Sequence, residues 1–170
     1  MTEVAIALGT NLGDRLSQLK HARKVFQSHT ASDKWLDSAV YSTAPVNCPP
    51  NSPDFYNAVV IFDYAGTPPE LLQLCKQLEQ DQGRLLDSLS GETNAPRPID
   101  ADILYFGDEL VNDETLQIPH PRLHLRRFVL VPLADVRASR VLPGMAKSVI
   151  STLDALESPE PPLTQVIRFW

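Results

Sequence analysis

Ile99-Asp100-Ala101-Asp102-Ile103-Leu104-Tyr105-Phe106 decides the fold. Its first half alternates apolar and acidic residues, and its second half is solidly apolar. That is the pattern of a strand entering a core with one face still open near its start. A long loop, Leu85 to Pro98, precedes it. Ahead of the loop, Thr67-Pro68-Pro69-Glu70 supplies a capping residue, prolines for a first helical turn and an acid at the capping-box position. Leu71, Leu72, Leu74, Cys75 and Leu78 then give a helix one apolar face up to about Gln82, with Gly83 as its stop.

Further upstream, Phe55 to Tyr64 is β-rich. Thr43 to Pro53 (TAPVNCPPNSP) holds four prolines and can be neither helix nor central strand. A loop of that length inside a compact fold is usually functional or disordered. Trp35 to Ser42 fits a strand. Leu16, Leu19, Ala22, Val25 and Phe26 recur at helical spacing behind Asp14, a helix over 14–28, and Val4 to Leu8 is a buried strand ended by Gly9-Thr10-Asn11. Downstream, Gly107-Asp108-Glu109 turns into a short strand at Leu110-Val111. After the Ile118-Pro119-His120-Pro121 break come helices over 125–136 and 148–156, then an apolar end at Val166 to Trp170. The order βαββαβ predicts an α+β fold, an antiparallel ferredoxin-like sheet with helices on one face plus a C-terminal helical extension. No repeat or linker divides residues 1–170, so one domain is expected.

The 170 residues are 43% hydrophobic and 21% charged, a globular composition. No apolar run approaches the roughly 20 residues a spanning helix needs, and the N-terminus lacks a basic segment ahead of an apolar one. Two cysteines without CxxC spacing suit a reducing compartment, and a cytoplasmic protein is expected. The net charge of −6 argues against bulk binding to nucleic acid or anionic membrane. Nothing in the composition demands an obligate dimer, and a monomer is expected. Any anionic ligand must be held by a local basic cluster or a metal.

Asp100 and Asp102 meet that requirement. Alternate residues of a strand share a face, about 6.6 Å apart along the backbone, so the two carboxylates can lean on shared hard cations. Magnesium takes one or two carboxylates together with substrate phosphates. A bare DxD more often faces water, but apolar Ile99, Ile103 and Leu104 show a strand buried on at least one side. Arg97 lies three residues upstream. A second basic cluster follows: His120, Arg122, His124, Arg126 and Arg127. Arginine forks match phosphate oxygens, and histidine can donate to phosphate near neutral pH. Together the acids and the arginines describe a polyphosphate site. Gly9-Thr10-Asn11-Leu12-Gly13 lacks both the Walker lysine and the Rossmann spacing, so its glycines shape a turn. Phe55, Asn57 and Phe128 read, by residue type alone, as core, and His21 and His29 as surface.

Gly9-Thr10-Asn11-Leu12-Gly13-Asp14-Arg15, Asn57-Ala58, and Ala95-Pro96-Arg97-Pro98-Ile99-Asp100-Ala101-Asp102-Ile103-Leu104 resemble the 6-hydroxymethyl-7,8-dihydropterin pyrophosphokinases of folate synthesis. Ile118-Pro119-His120-Pro121-Arg122 and Arg126-Arg127-Phe128 extend the likeness over residues 3–136. The resemblance implies a ferredoxin-like monomer that transfers pyrophosphate from ATP to the pterin's hydroxymethyl oxygen, releasing AMP. It implies that Asp100 and Asp102 bind two Mg2+ ions, and that Arg97, His120 and Arg126 act on the triphosphate. Lys76, Glu79, Arg84 and Ile103 complete the implied ATP site. Phe55 and Phe128 would sandwich the pterin, and Asn57 with Thr43, Ala44, Pro45 and Val46 would read its polar edge. Leu85 to Pro96 departs from the family pattern: it has no Lys, Arg or Trp and is about three residues longer. That departure leaves room for a diverged paralogue, either another metal-dependent nucleotide or phosphoryl transferase or a non-catalytic pterin- or nucleotide-binding protein.

Overall fold

The computed structural model describes residues 1–45, 48, 50–90 and 98–170, with residues 84–90 described through their backbone. Its chain order is β1 (Thr2–Thr10), α1 (Arg15–Gln27), β2 (Trp35–Asp37), β3 (Val40–Thr43), β4 (Phe55–Tyr64), α2 (Pro68–Ser90) and β5 (Asp100–Phe106). Then follow β6 (Val111–Asn112), β7 (Gln117–Ile118), a 3-10 turn (Leu123–Leu125), α3 (Arg127–Arg137), α4 (Val149–Asp154) and β8 (Thr164–Ile167). Six strands make an antiparallel sheet in the order β5-β1-β4-β3-β8, with β2 also paired to β4. The strands β6 and β7 form a separate hairpin.

Strand alternation sends side chains into two layers. Val4, Ile6, Val60, Phe62 and Ile103 pack with Leu19, Ala22 and Phe26 of α1 and Leu71, Cys75 and Leu78 of α2. Ala5, Val59, Ile61 and Tyr105 pack on the other face with Leu130 and Leu133 of α3 and Val149 of α4. The first two helices therefore share a face, as the sequence predicts, but the sheet is not left open behind them. The C-terminal helices cover the opposite face, because the ten-residue β4 and its neighbours are apolar on both sides.

Three local expectations are corrected. The strand predicted over 35–42 is broken: Asp37 faces Val60 but Tyr41 faces Asn57, so one extra residue is accommodated between them. Ser38 fills that irregularity, its Oγ accepting the Val59 N–H at 2.9 Å. Gly83 does not stop α2, which runs on to Ser90. A helix interior tolerates glycine at a cost of about 1 kcal/mol. Here Gly83 lies beside Pro98, where an added Cβ would sit 3.9 Å from the ring. The apolar end becomes β8, an edge strand on β3, and the sequence showed no strand there.

The turn motif near the start behaves as its residue types require. Gly13 has φ of 61°, the left-handed region that favours glycine. Asp14 then caps α1, accepting the Ser17 N–H at 3.0 Å.

Candidate active site

The strand β5 is an edge strand, so its outward backbone groups need partners from elsewhere. Ala101 N–H donates to Glu79 Oε1 of α2 at 2.9 Å, and Leu104 C=O accepts the His120 N–H at 2.9 Å. The buried carboxylate of Glu79 and the backbone of His120 thus pin the strand segment that carries the two acids. Ala101 and Ile103 turn into the α1–α2 core, and Asp100 and Asp102 turn the other way, exposed.

The two acids open onto a cavity of about 290 Å3. Its walls include Thr43 and Ala44 at the end of β3, Phe55 and Asn57 at the start of β4, and Arg126 and Phe128 at the start of α3. Eight of the residues selected from the sequence therefore meet around one space: those six with Asp100 and Asp102. Asn57 is buried, and its Nδ2 donates to Thr43 Oγ1 at 3.0 Å, which leaves the amide oxygen side 3.5 Å from where a side chain on Gly9 would stand. Gly9 faces Asn57 across the β1–β4 ladder, so the turn motif and the strand asparagine meet at the cavity floor. The Arg126 guanidinium lies 5.3 Å from the centroid of the Phe128 ring, so the cation and the aromatic form one corner.

A second cavity, of about 310 Å3, lies against the other side of Asp102. Ile103 and His120 line it together with Leu72 of α2 and Thr115 and Gln117 of the β6–β7 hairpin. Burial holds the His120 imidazole below the usual histidine range, against the opposing pull of Asp102 and with Arg126 and Arg122 adding to the lowering. A neutral ring can donate one N–H to an anion and can take up a proton when negative charge arrives. Asp102 is common to both cavities, so anything it holds sits between their contents.

Lys76 is exposed on α2 and lines neither cavity, and Pro45 lines neither. Val46, Arg97 and the side chain of Arg84 lie outside the described residues; of the atypical Leu85 to Pro96 segment, read from the sequence as loop, residues 85–90 continue the helix α2 and residues 91–96 lie outside the described residues. Leu72 and the hairpin residues Thr115 and Gln117 were not selected from the sequence, since a lone leucine and two neutral polar residues carry no chemical signature. The same holds for Glu160, Pro161 and Leu163, which reach the first cavity from the C-terminal tail. Among the described residues no group of three or more His, Cys, Asp or Glu is gathered for a metal. An exposed carboxylate pair beside room for phosphates nevertheless fits magnesium, which keeps waters and shares substrate oxygens rather than needing an all-protein cage.

An antiparallel α/β scaffold that opens a carboxylate pair onto one cavity and shares one of the two acids with a second suits the binding of phosphorylated groups through a hard cation. The chain belongs to the 7,8-dihydro-6-hydroxymethylpterin-pyrophosphokinase (HPPK) family, whose model matches residues 5–138. It is 36% identical over 144 residues to the 2-amino-4-hydroxy-6-hydroxymethyldihydropteridine pyrophosphokinase of Haemophilus influenzae, covering 85% of this chain and 87% of that protein. It is 38% identical over 139 residues to the mitochondrial folate synthesis bifunctional protein of Pisum sativum, covering 82% of this chain and 26% of that one. The chain thus spans about a quarter of the bifunctional plant relative and most of the bacterial one. Among solved structures, an HPPK-DHPS in complex with substrates superposes with a TM-score of 0.70 at 13% identity, over 91% of this chain and 43% of that one. At that identity the match speaks for the fold. No helix among the described residues is long and apolar enough to cross a membrane.

Proposed function

We propose that the two cavities divide the two substrates of a pyrophosphokinase. The chain transfers pyrophosphate from ATP to the hydroxymethyl group of 6-hydroxymethyl-7,8-dihydropterin, with release of AMP, in folate synthesis. The observation that carries this reading is the position of Asp102, which lies in the walls of both cavities. The transferred group must pass between a bound pterin and a bound nucleotide, and the shared carboxylate would hold a magnesium ion beside that path.

The cavity bounded by Phe55, Phe128 and Asn57 takes the pterin. Its two rings offer apolar faces to a flat heterocycle, and the Thr43–Asn57 pair offers polar atoms to its edge. The cavity bounded by Leu72, Ile103, Thr115 and His120 takes the nucleotide, with the triphosphate running toward Asp102. Arg126 stands at the pterin side of that path. Its guanidinium suits the oxygens of the migrating group. His120, held neutral by burial, donates to a phosphate oxygen and gains basicity as the anion binds. Asp100 and Asp102 would hold two Mg2+ ions. When bound, magnesium neutralises the phosphate charge and favours in-line displacement at the β-phosphorus. Arg97, Arg84 and Lys76 enter as further nucleotide residues on the family resemblance, Glu79 as the residue that pins the acid-bearing strand beside them, and Pro45 and Val46 as further pterin residues.

The strand order β5-β1-β4-β3 with α1 and α2 on one face supports a ferredoxin-like core, and α3, α4 and β8 are its C-terminal extension. Both helical layers pack on one sheet, which supports one domain over 1–170. A monomer is the state we favour, since nothing in the composition demands an obligate dimer. The cytoplasm is the compartment we favour, on a sequence with only two cysteines and no CxxC spacing. Incubation with ATP, magnesium and 6-hydroxymethyl-7,8-dihydropterin, with AMP resolved from ADP, tests the activity.

A further inference from the structure

Helix α3 begins without a cap of its own. The residue before it, Arg126, is extended (φ −117°, ψ 111°), and its side chain makes no capping hydrogen bond. The first N–H groups of a helix have no partner within the helix and need one from outside. Here the partner comes from 33 residues away: Arg127 N–H donates to Glu160 Oε2 at 3.0 Å. Glu160 is itself fixed, because its N–H donates to Ser158 Oγ at 3.1 Å. The Arg127 guanidinium ties the same turn back to the tail, donating to Leu156 C=O at 3.4 Å. After Glu160 the chain is held by the β8 ladder, where Thr164 faces Ser42, next to the cavity residue Thr43.

The capped residue lies between Arg126 and Phe128, the cation and the ring that form one corner of the pterin-side cavity. Glu160, Pro161 and Leu163 line that same cavity. They fall outside residues 5–138, the part matched by the family model. A carboxylate at a helix N-terminus both accepts an orphan N–H and complements the helix dipole. In this position it also stands directly beside the Arg126–Phe128 corner.

We propose that Glu160 is a positioning residue of the active site, a cap supplied from the C-terminal tail that aligns Arg126 and Phe128 for substrate binding. The inference rests on the pyrophosphokinase reading for its substrates. Loss of a cap of about 1 kcal/mol corresponds to about a fivefold change in an equilibrium constant. Glu160→Ala and Glu160→Gln are compared with the unaltered full chain by three measurements: amide exchange of Arg127 by NMR, the fluorescence-detected Kd for the pterin, and steady-state kinetics. Glu160→Ala is expected to speed Arg127 exchange and to raise the pterin Kd and KM about fivefold, with kcat changed less than KM. Glu160→Gln, which keeps an acceptor oxygen, is expected to restore most of each. Faster Arg127 exchange with an unchanged pterin Kd would overturn the proposal, leaving the cap a purely structural device, and so would unchanged exchange. Unaltered protein that neither binds the pterin nor forms AMP would instead overturn the pyrophosphokinase reading.

Discussion

The Glu79 carboxylate accepts the N–H of Ala101, the residue between Asp100 and Asp102, at 2.9 Å. One buried side chain on α2 therefore satisfies the open edge of the strand that presents both acids. Replacing it with alanine leaves a buried N–H without a partner, at about 1–3 kcal/mol. Glu79→Ala is expected to lower thermal stability and kcat together. Glu79→Gln retains an acceptor oxygen and is expected to stay near the parent in KM for ATP. A large rise in KM for ATP in Glu79→Gln, with stability unchanged, would assign the residue to direct nucleotide contact instead.

Asp100 and Asp102 are exposed at the start of β5, and their neighbours Ala101 and Ile103 carry the packing. Asp100→Asn and Asp102→Asn are therefore expected to melt within a few degrees of the parent. Each should lose at least about 10^3-fold in turnover, since metal-held charge stabilisation is worth several kcal/mol. Calorimetry and AMP formation at saturating magnesium check the pair. Near-parental turnover in both variants would remove the metal assignment.

At the opposite end of β1, Glu3 receives a two-pronged contact from Arg137, with Nη2 to Oε2 at 2.6 Å and Nε to Oε1 at 3.0 Å, and accepts the Tyr105 hydroxyl at 2.6 Å. The Arg137 hydrogen bonds hold this carboxyl well below the usual carboxylate range, with Lys34 and Tyr105 adding to the effect against burial. A lowered folded-state pKa means that the unfolded chain binds the proton first as the solution is acidified. The stabilisation is complete above the ordinary glutamate pKa near 4.5 and is lost as pH falls through the folded value. The gap in Tm between the parent and Glu3→Gln should thus be largest above pH 5 and shrink steadily toward pH 2. A pH-independent gap would mean that the contact is not ionic.

Trp170 closes the tail. Its Nε1 donates to Ser38 C=O at 2.8 Å, and the Arg23 guanidinium sits 5.4 Å from its ring. Trp170→Ala removes a buried aromatic at about 3 kcal/mol. For a chain of this size that lowers Tm by about 8 °C. Trp170→Phe should recover more than half of the loss, because only the hydrogen bond and part of the ring are missing. Equal melting of both variants would show that the indole N–H, not the packing, anchors the tail.

Local signals carried the core of the fold. Alternation in Ile99 to Phe106, the Thr67-Pro68-Pro69-Glu70 start and the proline-dense stretch after Thr43 each placed an element to within a few residues. Misjudged boundaries were those that tertiary contacts decide. Gly83 reads as a stop, but α2 continues past it against Pro98. The strand around Ser38 breaks because β4 offers two registers. The layer of α3 and α4 followed from apolar residues on both sides of β4, which a run read in isolation cannot assign to a face. In the site, residues with distinctive chemistry were legible: the acid pair, Arg126, His120, and by family resemblance Phe55, Asn57 and Phe128. Leu72, Thr115 and Glu160 were not, because single residues of these types carry no local signature of the cavities they line. Glu160 caps a helix 33 residues away, a relationship that no local pattern encodes.

In the proposed reaction Asp102 stands between a nucleotide and a pterin, and pyrophosphate passes beside it. The most direct measurement is the product of the full reaction: purified chain, ATP, magnesium and 6-hydroxymethyl-7,8-dihydropterin, with AMP and ADP resolved over time. AMP and the pterin diphosphate are expected in equal amounts, and neither when metal or pterin is omitted. ADP as the nucleotide product, or binding of both substrates without turnover, would contradict the proposed reaction.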